Sequence, residues 1–177
     1  MLKMIYAIGP DKEFGYEDEL PWDAPGDLRH FAEYTKDGIL LMSSATFKSL
    51  PTKLNGRLHV VIGGLNVTTK DGTSADISFG ADESLYSIKE YLSDIFDQDI
   101  IVIGGRKLLL EASVWAEDVS ISEISKEYLN KPADDKMIRF DDSRIRKNLK
   151  VQGIITEVTA QPFGYLFRGN LEDSRLF

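Results

Sequence analysis

The stretch "DIIVIGGRKLLLEAS" (99–113) contains the clearest structural signal in the chain. Its first half is a short apolar run, which is typical of a strand buried on both faces. Residues 106–113 then predict a helix, and Gly104 and Gly105 separate the two halves. The stretch therefore predicts a strand that turns directly into a helix, the repeating unit of α/β proteins with a parallel sheet.

The same alternation of strand and helix recurs on both sides of this stretch. On its N-terminal side, the sequence predicts strands at 4–9, 38–43 and 57–64 and helices at 25–34, 44–50 and 82–95. Pro25 suits the first turn of one helix, and Pro51 ends another. On its C-terminal side, the sequence predicts a strand at 118–124 and two antiparallel strands within 148–169, around Pro162 and Gly164.

These elements predict a single α/β domain that spans residues 1–177. We expect a central, mainly parallel twisted sheet with an antiparallel C-terminal edge strand and helices on both faces. Residues 11–21 and 65–80 are polar and show little periodicity, so we expect loops there.

The composition disfavours several classes of partner. The net charge of -8 argues against nucleic acid or an anionic membrane surface. The chain has no cysteine, which excludes disulfides and thiolate chemistry. Its N-terminal apolar run is too short for a signal peptide, and no segment approaches the ~20 apolar residues of a membrane span. We therefore expect a soluble, cytoplasmic protein with no membrane partner.

Two short motifs are compatible with ligand binding. The helix that follows Gly104 and Gly105 would direct N–H groups and the positive end of its dipole at a phosphate, although a plain tight turn explains the glycines equally well. Arg57 would be able to bind a carboxylate through two N–H groups, or it is simply a solvated arginine at a strand end. His30 and His59 are the only histidines and lie far apart in the sequence, so we expect no metal site.

The segment "DELPWDAPGDLRHF" (18–31) places an acid where a helix should face the core. Asp27 and Phe31 are four residues apart on the predicted helix and share a stripe with Leu28. An acid in the first turn commonly caps a helix or stabilises its dipole. Because the Leu28 and Phe31 stripe should be buried, Asp27 should also be withdrawn from water, where a raised pKa would let it supply a proton. Trp22 looks exposed.

Five motifs in consistent order together resemble dihydrofolate reductase, from residue 1 to about residue 124 and more loosely to the end. They are "MIYAIG" (4–9), "FGYEDELPWDAPGDLRHF" (14–31), "LLMSSATFKSL" (40–50), "LNGR" (54–57) and "VIGG" (102–105). The second is similar to the family's Gly-x(4)-Leu-Pro-Trp motif followed by Pro-x-Asp-Leu-x-x-Phe. The shortened "MSSATFKSLP" (42–51) is also similar to the corresponding block in reductases of large bacteriophages.

The resemblance implies an NADPH-dependent enzyme that reduces 7,8-dihydrofolate to tetrahydrofolate for one-carbon metabolism and thymidylate synthesis. Asp27 would bond the pyrimidine edge of the substrate and promote protonation of N5, while hydride passes from the nicotinamide to C6. The resemblance further implies antifolate ligands such as methotrexate or trimethoprim, a monomer, and a location in the cytoplasm, which for a phage protein is the host's.

The resemblance also assigns site residues. The catalytic set is Asp27, Trp22 as the holder of an ordered water, and Ser122, where the family usually has a threonine bonded to the acid. Substrate contacts are assigned to Ile5, Tyr6, Leu20, Leu28, Phe31, Leu50, Leu54, Arg57 and Ile103, with Arg57 pairing with the α-carboxylate of the glutamate tail. Cofactor contacts are assigned to Ala7, Ile8, Gly15, Leu20, Ser43, Ser44, Ala45, Thr46, Gly63, Gly64, Ile103, Gly104, Gly105, Arg106, Lys107, Leu108 and Leu109. Residues 15–20 would form a mobile lid, and the Gly104–Gly105 peptide bond would be cis.

The sequence departs from the family pattern around the cofactor. Met42-Ser43-Ser44-Ala45 lacks the basic residue that commonly binds the cofactor's 2′-phosphate, and Gly63-Gly64 replaces the usual serine. We therefore expect NADPH use with weakened selectivity over NADH, partly compensated by Ser43, Ser44, Thr46 or a lysine. The lysines in question are Lys48, Lys53 and Lys70. Leu109 stands where the family often has a tyrosine. Residues 125–137 form a longer segment than the loop that contacts the lid in the family. The acid that this loop usually carries would then be Asp134 or Asp135.

Two alternatives to this function stay open. A reductase of riboflavin synthesis shares the fold and the Gly-Gly turn, but it lacks the Leu-Pro-Trp motif combined with a buried Asp. A catalytically silent nucleotide-binding or structural protein, such as a phage particle component, would fit the altered 2′-phosphate block. The retention of Asp27, Trp22, Phe31 and Arg57 argues against the silent protein, because a structural component needs no acid in a dry pocket.

Overall fold

A computed structural model describes residues 1–154 and 156–171. Its helices and strands alternate along the chain as the sequence predicted. In chain order they are β1 (Leu2–Ile8), β2 (Glu13–Tyr16), α1 (Pro25–Tyr34), β3 (Ile39–Ser43), α2 (Ser44–Ser49), β4 (Leu58–Ile62), β5 (Ile77–Phe79), α3 (Leu85–Ile95), β6 (Ile100–Gly104), α4 (Arg106–Ala112), β7 (Asp118–Ile124), β8 (Met137–Arg139), α5 (Ser143–Val151), β9 (Glu157–Gln161) and β10 (Gly164–Asn170). A single 3₁₀ turn at Lys126–Tyr128 follows β7.

Eight of these strands form one mixed sheet in the order β5-β4-β3-β6-β1-β7-β10-β9. The strands from β5 to β7 are parallel to their neighbours. In contrast, β10 runs antiparallel to β7, and β9 runs antiparallel to β10. The predicted α/β fold, with a mainly parallel sheet and an antiparallel C-terminal edge, is confirmed.

Helices cover both faces of the sheet. On one face, α3, α4 and α5 pack against the sheet through a first cluster of buried apolar residues. This cluster includes Leu2, Met4, Tyr6, Ile8, Leu85, Ile88, Leu92, Leu108, Leu109, Ala112, Ile121, Ile145 and Leu149. The second cluster packs α1 and α2 on the other face; it contains Ile5, Leu40, Met42, Phe47, Val61 and Ile101, with Phe31, Tyr34, Leu50, Leu54 and Ile103 against it. Successive residues of β1 enter different clusters, which explains why this strand is apolar throughout. None of the helices in the described ranges could span a membrane.

The structure corrects the sequence prediction in three segments. Residues 11–21 are not simply a loop, because β2 pairs with β8 more than a hundred positions away. Residues 65–80 contain the edge strand β5, which pairs with β4. Residues 148–151 are the last turn of α5 rather than part of a strand. Short strands of this kind are stabilised by distant partners, so local periodicity does not reveal them.

The turn between β9 and β10 supplies a test of the antiparallel edge. Gly164 has a φ of 140°, and a Cβ there would lie 1.9 Å from the backbone oxygen of Glu123 on β7. Gly72 also has a positive φ, of 87°, but nothing lies within 4 Å of its Cβ position. We expect Gly164→Ala to lower the free energy of unfolding by about 3 kcal/mol or more, and Gly72→Ala by only about 1–2 kcal/mol. Denaturant unfolding measures both, and equal losses would contradict the register of β10 on β7.

Candidate active site

The candidate site lies where α1 packs along β7, beside the second cluster. Five of the apolar residues assigned to a substrate wall meet there. They are Ile5, Phe31, Leu50, Leu54 and Ile103, which come from five different elements or loops and all belong to, or pack against, the second cluster. These five residues therefore lie together around one cluster, and their role as a substrate wall stays a prediction.

A series of polar side-chain contacts, here called the α1–β7 polar ladder, attaches the helix to the strand. The pairs are Asp27 with Ser122, His30 with Ser120, and Tyr34 with Asp118. Residues three and four apart on a helix share a face, and alternate residues of a strand do the same. One face of α1 therefore matches one face of β7, with 2.7 Å between the His30 Nε2 and the Ser120 Oγ.

Asp27 is the one buried residue of α1, with 8% of its surface exposed. It does not cap the helix, because the N-cap residue is Ala24 and no side chain makes a capping bond. Burial raises the pKa of the Asp27 carboxyl, and the Ser122 hydroxyl, which hydrogen-bonds it, and the nearby His30 act in the opposite direction. A buried carboxyl with a raised pKa is suited to hold and deliver a proton.

Two expectations about burial around Asp27 are wrong. Leu28 is 52% exposed, because the polar ladder turns Asp27 towards the strand and leaves the neighbouring residue pointing away from it. Trp22 is only 5% exposed and packs with Ala24, Ile124 and Phe163 in a third cluster that Ala7 also contacts. Trp22 is therefore anchored directly before the helix that carries the acid.

Arg57 is held by three hydrogen bonds rather than solvated. Its Nη2 donates to the carbonyl of Ala32 at 2.6 Å, and its Nε donates to the hydroxyl of Thr35 at 3.3 Å. Its Nη1 donates to the carbonyl of Asn55 at 2.6 Å. A guanidinium carries five N–H groups, so two are left over from these bonds to bind a carboxylate in a fixed orientation.

The Gly-Gly turn after β6 forms a tight corner with the start of α2. The Gly104–Gly105 peptide bond is cis, as the family resemblance implied. The Gly105 N–H donates to the Ser43 Oγ at 3.0 Å, and the same oxygen caps α2 by accepting from the Thr46 N–H. A Cβ on Gly104 would lie 3.1 Å from the Thr46 Oγ1, so a side chain there would fit tightly, and the φ of 145° disfavours any residue but glycine.

Some of the remaining residues assigned to the cofactor lie at this corner, and others lie elsewhere in the structure. Gly63 follows β4, and Gly64 lies against Ser44, because a Cβ there would be 3.0 Å from the Ser44 Cβ. Ala45, Arg106 and Lys107 are exposed. The side chains of Ile8, Leu108 and Leu109 lie in the first cluster, on the opposite face of the sheet, and so does that of Tyr6, which was assigned to the substrate and whose hydroxyl donates to Asp142. These four residues are thus able to face the site only through their backbones.

The lysines expected to replace the missing basic residue are mostly engaged elsewhere. Lys53 pairs with Asp76 at 2.7 Å, and Lys70 pairs with Asp18 at 3.1 Å. Lys48, in the last turn of α2, is exposed.

Residues 15–20, the expected lid, are tied to the segment that precedes β8. The Tyr16 hydroxyl donates to Asp134 at 2.8 Å, which identifies Asp134 rather than Asp135 as the acid that contacts the lid. Lys136 pairs with Glu17, and Lys131 pairs with Glu19. Leu20 at the end of the lid is 47% exposed, and Gly15 lies within the β2–β8 ladder.

The sequence interpretation missed His30 and Ser120 as members of the polar ladder. The alternation of "DVSISEI" (118–124) contained the signal, because Ser120 and Ser122 must share a face of the predicted strand. It also missed His59, whose buried ring contacts the turn that carries Arg57. No local sequence pattern indicates this contact, which depends on how the turn folds back over β4.

Comparisons with known proteins agree on one family. A sequence model described as "Dihydrofolate reductase" matches residues 1–164. The chain is 27% identical over 173 residues to dihydrofolate reductase type 9 of Escherichia coli, covering 94% of this chain and 90% of that protein. It is 28% identical over 170 residues to dihydrofolate reductase of Bacillus subtilis strain 168, with 94% and 92% covered. Dihydrofolate reductase from Enterococcus faecalis, solved in complex with NADP(H) and RAB-propyl, has the same fold, with a TM-score of 0.67 and 20% identity over 96% of this chain and 94% of that one.

The contact between Ser122 and Asp27 predicts the direction of a pKa change. Ser122→Ala should raise the pKa of Asp27 further, because the hydroxyl stabilises the charged carboxylate. Ser122→Thr keeps the hydroxyl and should leave the pKa near its starting value. The matched control Ser120→Ala removes the partner of His30 instead and should change the Asp27 pKa much less. Carboxyl carbon NMR titration measures all three, and an unchanged value in Ser122→Ala would refute the contact.

Proposed function

Since the chain belongs to the dihydrofolate reductase family, we propose that it reduces 7,8-dihydrofolate to tetrahydrofolate with NADPH, using Asp27 as the acid. The observation that carries this proposal is the placement of one carboxyl, buried and bonded to Ser122, beside a continuous apolar wall. An apolar surface beside a buried carboxyl suits a flat heterocycle that must be protonated at one position.

Asp27 bonds the pyrimidine edge of the pterin and favours the protonation of N5. Its raised pKa favours the protonated form of the carboxyl, and the Ser122 hydroxyl orients the carboxyl. Trp22, buried directly before α1, holds the ordered water next to the pterin. The apolar wall and residues 15–20 exclude bulk water from the reacting atoms.

The corner around the Gly-Gly turn fits a dinucleotide. Its glycines let a ligand approach the backbone, and Ser43, Thr46 and the first N–H groups of α4 supply hydrogen-bonding groups of the kind that phosphates accept from. Ile103 and the backbone of Ala7 lie between this corner and the acid, on the strands β6 and β1. When bound there, NADPH supplies the hydride that reduces C6.

Arg57 binds the α-carboxylate of the substrate's glutamate tail. Its guanidinium is already fixed by Ala32, Thr35 and Asn55, so little side-chain entropy is lost when a carboxylate binds. Leu28, Leu50 and Leu54 then contact the apolar part of the tail.

The proposal extends to inhibitors, oligomeric state and location. Methotrexate or trimethoprim would bind by placing a diaminopyrimidine ring against the Asp27 carboxylate. We also propose that residues 1–177 act as one domain, as a monomer, and in the cytoplasm. A silent structural protein or a riboflavin-pathway reductase is less well supported, because neither requires a buried acid together with an arginine fixed for a carboxylate.

Replacing the acid should change the pH dependence of turnover. Asp27→Asn should lower kcat about a hundredfold or more near pH 8, and clearly less near pH 5, where free protons replace the lost acid. Loss of NADPH absorbance with dihydrofolate gives the rate. The matched control Glu33→Gln removes an exposed acid from the same helix and should leave the profile unchanged. If the unmodified chain neither oxidises NADPH with dihydrofolate nor binds methotrexate, the silent protein is favoured instead.

The missing basic residue predicts weak discrimination between cofactors. We expect kcat/KM for NADPH to exceed that for NADH by less than about a thousandfold, because charge-assisted bonds to the 2′-phosphate are lost. Ser44→Arg should raise this ratio by about tenfold or more, whereas the uncharged control Ser44→Gln should not. A larger NADPH preference in the unmodified chain would show that other residues, such as Lys48, bind the phosphate.

A further inference from the structure

His59 is buried beneath the turn that carries Arg57, with 0% of its surface exposed. Its Nε2 lies 3.1 Å from the backbone nitrogen of Leu54, and its Nδ1 lies 3.2 Å from the backbone oxygen of Arg57. One imidazole ring therefore joins both ends of the turn formed by residues 54–57. Nothing in the mechanism above uses this residue.

The two backbone partners determine the tautomer of the ring. The Leu54 N–H is only a donor, so Nε2 must carry the lone pair. The Arg57 carbonyl is only an acceptor, so Nδ1 must carry the hydrogen. Protonation of the ring would place a second N–H against the Leu54 N–H, so the two bonds favour the neutral ring. Burial, the main cause, also lowers the pKa of His59.

The charged groups around the ring act on the pKa of His59 in opposite directions: Asp76 raises it, whereas Lys53 and Arg57 lower it. The His59 backbone N–H donates to the Asp76 Oδ2 at 2.7 Å, and Asp76 also pairs with Lys53 directly before the turn. The Asp76 Oδ2 lies 3.8 Å from the His59 Nδ1. Asp76 thus anchors the strand and the start of the turn, while the imidazole closes the turn itself.

The turn positions the arginine through its own backbone. Gly56 has a φ of 75°, and the carbonyl of Asn55 accepts a bond from the Arg57 Nη1. The guanidinium is therefore suspended between α1 on one side and this turn on the other. If the turn relaxes, the guanidinium loses one of its two supports, while Asp27 and the polar ladder are unaffected.

We propose that His59 is a positioning residue for Arg57, whose neutral Nδ1–H form holds the 54–57 turn so that the guanidinium presents its free N–H groups to the carboxylate of the substrate's tail. This inference rests on the proposed function. It makes the imidazole a determinant of substrate class, because it favours dihydropterins that carry a carboxylate tail over those that do not.

The test compares two substrates that differ in the tail. His59→Phe keeps the ring shape but loses both bonds, and His59→Gln retains a donor and an acceptor. We expect His59→Phe to raise KM for dihydrofolate about tenfold or more with little change in kcat. With 6-methyl-7,8-dihydropterin, which has no tail, kcat/KM should change less than about twofold, and His59→Gln should restore most of the loss.

A matched control separates positioning from general destabilisation. Val61→Ala truncates a fully buried residue two positions along the same strand and should lower the unfolding temperature without altering the preference between the two substrates. Equal losses on both substrates in a folded His59→Phe variant, or no loss on dihydrofolate, would overturn the proposal.

A spectroscopic measurement tests the unmodified protein without relying on turnover. Imidazole nitrogen chemical shifts near neutral pH should show a hydrogen on Nδ1 and a lone pair on Nε2. The opposite tautomer or a charged ring would overturn the proposal even if His59→Phe fails to fold. If the unmodified chain reduces neither substrate while His59 shows the expected tautomer, the proposed function has failed and the link between ring and turn stands.

Discussion

The docking of α1 on β7 is the constraint on which the rest of the site depends. Its polar ladder runs along a single helix face and a single strand face, so the helix has one register on the sheet. An apolar interface of the same size would tolerate a shift by one turn, whereas a shift here would leave the buried carboxyl of Asp27 and the half-buried imidazole of His30 without partners. The ladder thus determines where Asp27 lies relative to the apolar wall.

The burial of Asp27 has a thermodynamic cost. The pKa of Asp27 in the folded chain lies above its ordinary value, so folding favours the protonated form. The stability that this group contributes is present below the unfolded pKa and is lost as the pH rises through the folded pKa. Above its folded pKa the buried carboxylate therefore destabilises the fold, and the apolar clusters on either side offset this cost. A residue with only a structural role would not need to be charged, so the cost is consistent with catalysis.

The local sequence pattern was sufficient to predict most of the fold and the main chemical groups of the candidate site. The apolar runs predicted the strands of the parallel sheet, and Pro25 predicted the start of α1. Burial was harder to predict, because Leu28 is exposed and Trp22 is buried for reasons that arise from the docking of distant elements. The pairing of β2 with β8, the ion pairs of Lys53 and Lys70, and the role of His59 all join segments that no periodicity connects. These contacts follow from tertiary packing alone.

The two polar ends of the site are attached to the same helix. Asp27 lies in the first turn of α1, whereas the guanidinium of Arg57 bonds the carbonyl of Ala32 and the hydroxyl of Thr35 near its C-terminal end. Because an α-helix rises about 1.5 Å per residue, the acid and the Ala32 carbonyl are separated by about 7–8 Å along the helix axis. A single helix thus sets the spacing between the proposed proton donor and the guanidinium that is proposed to bind a carboxylate. The apolar residues between them need only have the right shape. This explains why the wall comes from several loops and strands, whereas both charged groups depend on one helix.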